Sequence, residues 1–171
     1  MSRISSMLTA AAACAVLMAA TQSAQAQSSS LTSEQAMAAA RAVQAYAKND
    51  GSNPSLAVID RDGNTVVLLK GNGAAPHNLG LAQRKAFTAN MFKMKSIEWR
   101  DRTMPGKPEA SERDTPNAIP LGGGVPIMVG NEVVGAIGVS GTRGGQEGDT
   151  AGAQAGADAA AALVKRLQAS N

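Results

Sequence analysis

Few side chains in this sequence can supply chemistry, and the first of them is the chain's only histidine, His77. An imidazole can ligate a metal ion, but an exposed histidine in a loop needs no function at all. His77 follows Pro76 and precedes a helical pattern, so either role fits its position. One histidine cannot provide a two-histidine metal site, so a metal bound at His77 needs other ligands.

Two cations and a hydroxyl follow on that helical pattern. Arg84 and Lys85 could pair with the carboxylate of a ligand, or could lie on a solvated helix face. Thr88 lies three residues after Lys85 and therefore near it on the helix surface. Its hydroxyl can bind a ligand or donate a hydrogen bond to a carbonyl of its own helix. These residues and His77 form the candidate binding site.

In the second half of the chain, the candidate functional residues are a run of three glycines and a carboxylate. Gly122-Gly123-Gly124 lacks the Lys-Ser/Thr of a phosphate-binding loop and precedes a strand, so we interpret it as a tight backbone path beside a pocket. Asp149 is expected to cap the last helix. Ser140 does not lie in a Gly-x-Ser-x-Gly motif, and no acid–base pair at informative spacing supports an enzyme.

The N-terminus has the pattern of a secretory signal peptide. Arg3 precedes an apolar run over 7–20, and Ala24-Gln25-Ala26 matches the small-x-small cleavage signature. The run is shorter than the ~20 residues that a helix needs to span a bilayer, so a retained membrane anchor is the less favoured alternative. We expect cleavage after Ala26, leaving 27–171 as a periplasmic or secreted protein with no membrane segment.

Composition excludes several function classes. The only cysteine, Cys14, lies within the predicted signal peptide, so the exported chain has no thiolate metal site, thiol nucleophile or covalent haem attachment. Aromatic residues make up 2% of the chain, too few for the stacking platforms of single-stranded nucleic-acid binding. The net charge of +3 is mild and indicates no nucleic-acid site.

The first half of the exported chain is predicted to form a helix, a hairpin and a second helix. A capping box at Thr32-Ser33-Glu34-Gln35 starts the first helix, and Asn49-Asp50-Gly51 ends it. Arg61-Asp62-Gly63-Asn64 predicts the turn of the hairpin. The second helix is expected over 79–94, with Met91 and Met94 in the core.

The second half repeats this order. A proline-rich loop over 104–120 leads to a hairpin whose turn is Gly130-Asn131. The last helix is expected from about residue 150 to 168, and Gly152 and Gly156 let another backbone approach it. Two hairpins with helices between them predict an antiparallel sheet with packed helices, a single-domain α+β fold.

Several segments resemble the GlcG/HbpS family. Lys85-Ala86-Phe87-Thr88-Ala89 is similar to its Lys-Ala-x-Thr-Ala helix, and Gly123-Gly124-Val125-Pro126 to its Gly-Gly-x-Pro segment before a hairpin. The strand 132–141 and Asp149 with its helix are similar to the family's later elements. Where the family often has Arg-Met-Asp-Gly-Ala, this chain has Lys70-Gly71-Asn72-Gly73-Ala74, which lacks the carboxylate.

The resemblance implies a profilin-like or PAS-like fold and a homo-oligomer, and some members of the family bind haem and are linked to haem degradation or haem sensing. The leading hypothesis is therefore an exported protein that binds haem or another tetrapyrrole. Under that hypothesis His77 is the axial ligand to the iron, and the other cofactor-binding residues are Arg84, Lys85, Thr88, Gly123 and Gly124. Two alternatives stay open. One is a periplasmic binding module for another small ligand such as an organic acid, and the other is a small-molecule enzyme of unknown reaction.

Overall fold

A computed structural model describes residues 30–170 of the chain, so the predicted signal peptide over 1–26 lies outside the described residues. The elements are, in chain order, α1 (Ser33–Asp50), β1 (Ser55–Asp60), β2 (Thr65–Leu69), α2 (Asn78–Phe92), α3 (Ser96–Arg102), a 3-10 turn (Ala110–Asp114), β3 (Gly124–Val129), β4 (Glu132–Ser140) and α4 (Gly145–Ala169).

The four strands form one antiparallel sheet in the order β2-β1-β4-β3. The two predicted hairpins, β1–β2 and β3–β4, are both present. They are joined through the pairing of β1 with β4, in which Leu56 lies opposite Val139 and Val58 opposite Ile137. The predicted α+β fold with an antiparallel sheet is therefore confirmed.

The first helix begins where its capping box predicts. The Thr32 hydroxyl accepts a hydrogen bond from the Gln35 amide at 3.3 Å, and the Gln35 side chain accepts one from the Thr32 amide at 2.9 Å. The helix ends at Gly51, whose φ of 68° is left-handed. Glycine adopts that conformation without the steric cost that a Cβ would add, which explains where α1 stops.

Helices cover both faces of the sheet. Side chains alternate along each strand, so Leu56 and Val58 face one side and Ala57 and Ile59 the other. The first side packs on α1 and α4, which supply a large apolar core that includes Val43. The second side packs on α2 through small residues, with Ile59 meeting Ala86 and Ala89.

Two helix boundaries and one core assignment differ from expectation. α4 begins at Gly145 rather than near Thr150, and α2 ends at Phe92, before Lys93 takes a left-handed φ of 53°. Placing Met91 in the core was wrong, because its side chain is 51% exposed. The buried stripe of α2 is made instead by small residues that let the helix lie close to the sheet.

Gly152 and Gly156 permit close packing inside the chain. A Cβ on Gly152 would lie 3.1 Å from the Tyr46 ring, and one on Gly156 would lie 3.0 Å from the Ala39 carbonyl oxygen. Both contacts are with α1. These glycines therefore explain why α1 and α4 approach closely, and they give no support to a contact between subunits.

Candidate functional site

One face of α2 points away from the sheet and carries the chemically capable side chains. His77 belongs to the first turn, because its carbonyl accepts a hydrogen bond from the Leu81 amide at 3.0 Å. At 3.6 residues per turn, Gly80, Arg84, Phe87 and Met91 follow His77 along the same side of the helix. His77 and Arg84 are exposed and Phe87 is half-buried. We call these five residues the outer stripe of α2.

A groove of about 350 Å³ runs beside the outer stripe. Its walls come from α2, the β1–β2 hairpin and the loop before β3, and the residues that line it are Ile59, Gly63, Thr65, Gly80, Gln83, Arg84, Phe87 and Asn117. The groove combines an apolar base with one cation at its edge. It opens to solvent and is at the small end of the ~300–1,000 Å³ typical of ligand pockets, so it suits a ligand that lies partly on the surface.

Arg84 is held at the edge of this groove by main-chain carbonyls. Its Nη2 donates a hydrogen bond to the Ala118 carbonyl oxygen at 2.7 Å. Its Nε donates a longer one to the Asn117 carbonyl oxygen at 3.5 Å. A guanidinium has five N–H donors, so others stay available for a ligand. No salt bridge joins Arg84 to a carboxylate within residues 30–170. The cation is therefore oriented but not neutralised.

Thr88 points the other way and is fully buried. Its hydroxyl donates to the Arg84 carbonyl oxygen at 2.8 Å and accepts from the Ile119 amide at 2.9 Å. Of the two roles left open for Thr88, the hydrogen bond to its own helix is the one that the structure contains. The second bond fixes the loop before β3 against α2, so Thr88 helps to shape the groove from below.

Lys85 is buried as well, with 2% of its surface exposed, so of its two alternatives the solvated helix face is ruled out. Its ammonium donates to Asp149 Oδ2 at 2.7 Å and to the Val139 carbonyl oxygen at 3.0 Å. A lysine can be buried in this way because a carboxylate and a carbonyl replace its water. Lys85 therefore does not share a surface with the exposed His77.

Asp149 was expected to cap the last helix, and that expectation was wrong because α4 begins four residues earlier. Its Oδ1 instead accepts from the amides of Gly141 and Thr142, at 3.0 and 2.9 Å, and from the Thr142 hydroxyl at 2.8 Å. The carboxylate thus fixes the loop between β4 and α4 while it neutralises Lys85.

Gly123 and Gly124 lie where the chain passes directly over Lys85. A Cβ on Gly124 would lie 2.0 Å from the Lys85 carbonyl oxygen. Gly123 has a φ of 119°, and a Cβ there would lie 2.5 Å from the Val139 carbonyl oxygen. Both glycines are buried, and the predicted tight backbone path is confirmed.

Sequence reasoning missed Gly80 and Phe87 as groove residues. Phe87 follows Arg84 by three residues on α2, and this spacing places the two side by side. Across residues 30–170, no group of three or more histidine, cysteine, aspartate or glutamate residues is placed to hold a metal ion. In the same region, no helix is both long and apolar enough to cross a membrane.

Known proteins resemble this chain in both sequence and fold. Residues 31–158 match the family described as "Haem degrading protein HbpS-like". The chain belongs to the HbpS-like family. A double mutant of HbpS from Streptomyces reticuli is 38% identical, with a TM-score of 0.69 over 75% of this chain and 86% of that one.

Two further structures share the fold. The protein ORFY of Klebsiella pneumoniae is 29% identical, with a TM-score of 0.72 over 77% of this chain and 91% of that chain. PduOC, solved as a complex with heme, is 24% identical, with a TM-score of 0.70 over 76% of this chain and 94% of that chain. At the identity of PduOC, the likeness shows the fold alone.

The four HbpS-like segments identified in the sequence meet at one place in the structure. Lys85 comes from the first, Gly123 and Gly124 from the second, Val139 from the third and Asp149 from the fourth. Their contacts are internal: an ion pair, a hydrogen bond from the Lys85 ammonium to a main-chain carbonyl, and two close backbone approaches. The residues that carry the family resemblance therefore build the fold, whereas the outer stripe of α2 supplies the exposed chemistry.

Proposed function

We propose that this protein binds haem on the outer stripe of α2 and acts in haem handling outside the cytoplasm. The observation that carries the proposal is the stripe itself, in which an imidazole, a guanidinium and an aromatic ring lie in succession on one exposed helix face beside a groove. Membership in a family described as haem degrading supports the choice of ligand. The heme complex of PduOC supports the capacity of this fold to hold that ligand.

The residue types fit the chemical parts of a haem. The imidazole of His77 is a suitable axial ligand, and in the exported chain no thiolate competes with it. Arg84 follows seven residues later, about 10 Å along the helix axis, where a guanidinium can pair with a propionate. Phe87, which is half-buried, provides an apolar surface for the macrocycle. When bound, haem would supply an iron centre at the protein surface.

In this proposal the predicted site residues divide into two groups. His77 and Arg84 contact the haem. Lys85, Thr88, Gly123 and Gly124 are positioning residues, because their contacts hold α2 against the sheet and the loop before β3 against α2.

The test is a haem titration of the protein spanning 27–171, followed through the Soret absorbance. We expect His77→Ala to shift or abolish the Soret band. We expect Arg84→Gln to weaken binding about 10-fold or more, the size of a lost charge-assisted hydrogen bond, without moving the band. Arg41→Gln is the matched control, because Arg41 is exposed on α1, which packs on the opposite face of the sheet from α2. Unchanged spectrum and affinity in His77→Ala would overturn ligation by His77.

We also propose that the protein is exported, on the strength of the signal-peptide pattern in 1–26. N-terminal sequencing of the protein made in a Gram-negative host should give Gln27 as the first residue. Retention of Met1 through Ala26 would contradict export by cleavage.

A homo-oligomer is a further part of the proposal. Leu68 on β2 and Met128 on β3 are 39% and 36% exposed, and both lie on edge strands of the sheet. An uncovered edge strand with apolar side chains is suited to pairing with a second copy.

A further inference from the structure

A second groove lies on the opposite side of the sheet from α2. It occupies about 360 Å³ between the C-terminal half of α1 and the ends of β1 and β2. Its floor is apolar, built from Val43 and Ala47 on α1 and from Leu56 and Leu69 on the strands. Val43 and Leu56 belong to the main core, so a ligand in this groove would rest directly on the core.

The end of the groove is rigid because two stretches of backbone touch there. A Cβ on Gly71 would lie 1.8 Å from the Asn53 carbonyl oxygen. The Gly71 amide also donates to the Ser55 hydroxyl at 3.3 Å, which ties the strand end to β1. This end of the cavity is thus formed by the backbone.

The rim of the groove is positively charged. Lys48 and Lys70 line it, both are exposed, and no aspartate or glutamate is among its lining residues. Within residues 30–170 neither lysine forms a salt bridge. The nearby Asp50 uses its carboxylate to accept from the Ser52 amide at 2.9 Å and from the Arg143 amide at 3.4 Å. The ammonium groups of Lys48 and Lys70 therefore lie at the rim of a groove whose floor is apolar.

We infer that this groove binds a small organic acid, with its carboxylate at Lys48 and Lys70 and its apolar body on the floor. Burying the body removes apolar surface from water, and the ammonium groups favour an anion over a neutral or cationic molecule of the same length. The volume falls within the range of ligand pockets and suits a short-chain monocarboxylate. This site is separate from the outer stripe of α2 and does not depend on haem binding.

The inference is tested by titrating methyl-labelled protein with hexanoate, hexanol and hexylammonium and recording NMR shifts. Hexanoate should shift the methyl signals of Val43, Leu56 and Leu69, hexanol should bind more weakly, and hexylammonium should bind least. The double variant Lys48→Gln/Lys70→Gln should weaken hexanoate binding about 10-fold or more. Lys107→Gln/Lys165→Gln is the matched control, because it removes the same charge from two exposed lysines elsewhere.

Equal weakening in the control pair would show a net-charge effect and overturn the site. Equal binding of hexylammonium, or the absence of shifts at these methyls, would overturn it as well. A haem titration keeps the two proposals distinguishable, since Lys48→Gln/Lys70→Gln should leave the Soret titration unchanged and Arg84→Gln should leave hexanoate binding unchanged. Loss of haem binding in the lysine pair would make this groove part of the haem site and would overturn the inference of a separate acid site.

Discussion

The Lys85 ammonium lies 2.7 Å from Asp149 Oδ2, and both side chains are buried. The pair joins α2, which packs on one face of the sheet, to α4, which packs on the other. Asp149 Oδ1 also accepts from the Gly141 and Thr142 amides and from the Thr142 hydroxyl, so the carboxylate accepts four hydrogen bonds in all. Such hydrogen bonding is the condition under which two buried charges are tolerated.

Removing one side chain of the Lys85–Asp149 pair should therefore lower the free energy of unfolding strongly. We expect Lys85→Met to lower the free energy of unfolding by about 3–5 kcal/mol, because it leaves a buried carboxylate without its counter-charge. Urea denaturation measures the change. Arg102→Gln is the control, since it breaks the exposed Arg102–Glu109 pair at 3.1 Å and should cost about 1 kcal/mol or less.

The double variant Lys85→Met/Asp149→Asn separates a direct pair from two independent roles. If the pair is direct, the double variant should lose less stability than the sum of the two single variants. Additive losses would contradict direct coupling.

Thr88 offers a second test, directed at the support beneath the haem groove. Thr88→Val keeps the shape of the side chain but removes the hydroxyl that bonds Arg84 and Ile119. The Ile119 amide would then be buried without a partner, at a cost of about 1–3 kcal/mol. Thr88→Ser retains the hydroxyl and should lose less stability in the same denaturation experiment. Equal losses would show that packing of the methyl group, not the hydrogen bonds, is what matters.

Two glycines near α2 should respond to alanine in opposite directions. A Cβ on Gly138 would lie 1.9 Å from the Ala82 carbonyl oxygen, so Gly138→Ala should push α2 off the sheet and cost about 3 kcal/mol or more. Gly80 lies within α2 with nothing within 4 Å of a Cβ. Gly80→Ala should raise the thermal midpoint, because alanine is favoured in a helix by roughly 0.5–1 kcal/mol. A destabilised Gly80→Ala would contradict the open space at that position.

Local patterns were enough to predict much of the fold. The capping box at Thr32 and the turn at Gly130 depend on residues close in sequence, so their signals can be read directly. The pairing of β1 with β4 joins segments that are far apart in the chain, so no local sequence pattern predicts it. The start of α4 was misplaced for a related reason, because its glycine-rich first turn has low helix propensity and is held by tertiary contacts such as the hydrogen bond from the Gly122 amide to Gln146 Oε1 at 2.7 Å.

The candidate site was predictable only in part. His77 and Arg84 are exposed, as a binding role requires, because no element within residues 30–170 covers these two positions of α2. Lys85 follows Arg84 directly, yet a helix turns by 100° per residue and so directs the two to different surroundings. A lysine is rarely buried without a partner. Here the partner is Asp149, 64 residues away, so the sequence around Lys85 gives no sign of it.

The last prediction concerns assembly through the edge of the sheet. If copies associate there, Leu68→Lys should lower the mass measured by light scattering at about 100 μM, a concentration at which a micromolar complex is largely formed. A lysine on an edge strand opposes pairing because its charge would have to be buried or set against its own copy. Leu167→Lys is the matched control, since Leu167 is 42% exposed near the end of α4, on a helix and not on an edge strand. We expect the control to keep the mass of the unaltered protein. A monomeric mass for the unaltered protein would contradict the homo-oligomer itself, whereas equal loss in both variants would contradict only the choice of the β2 edge.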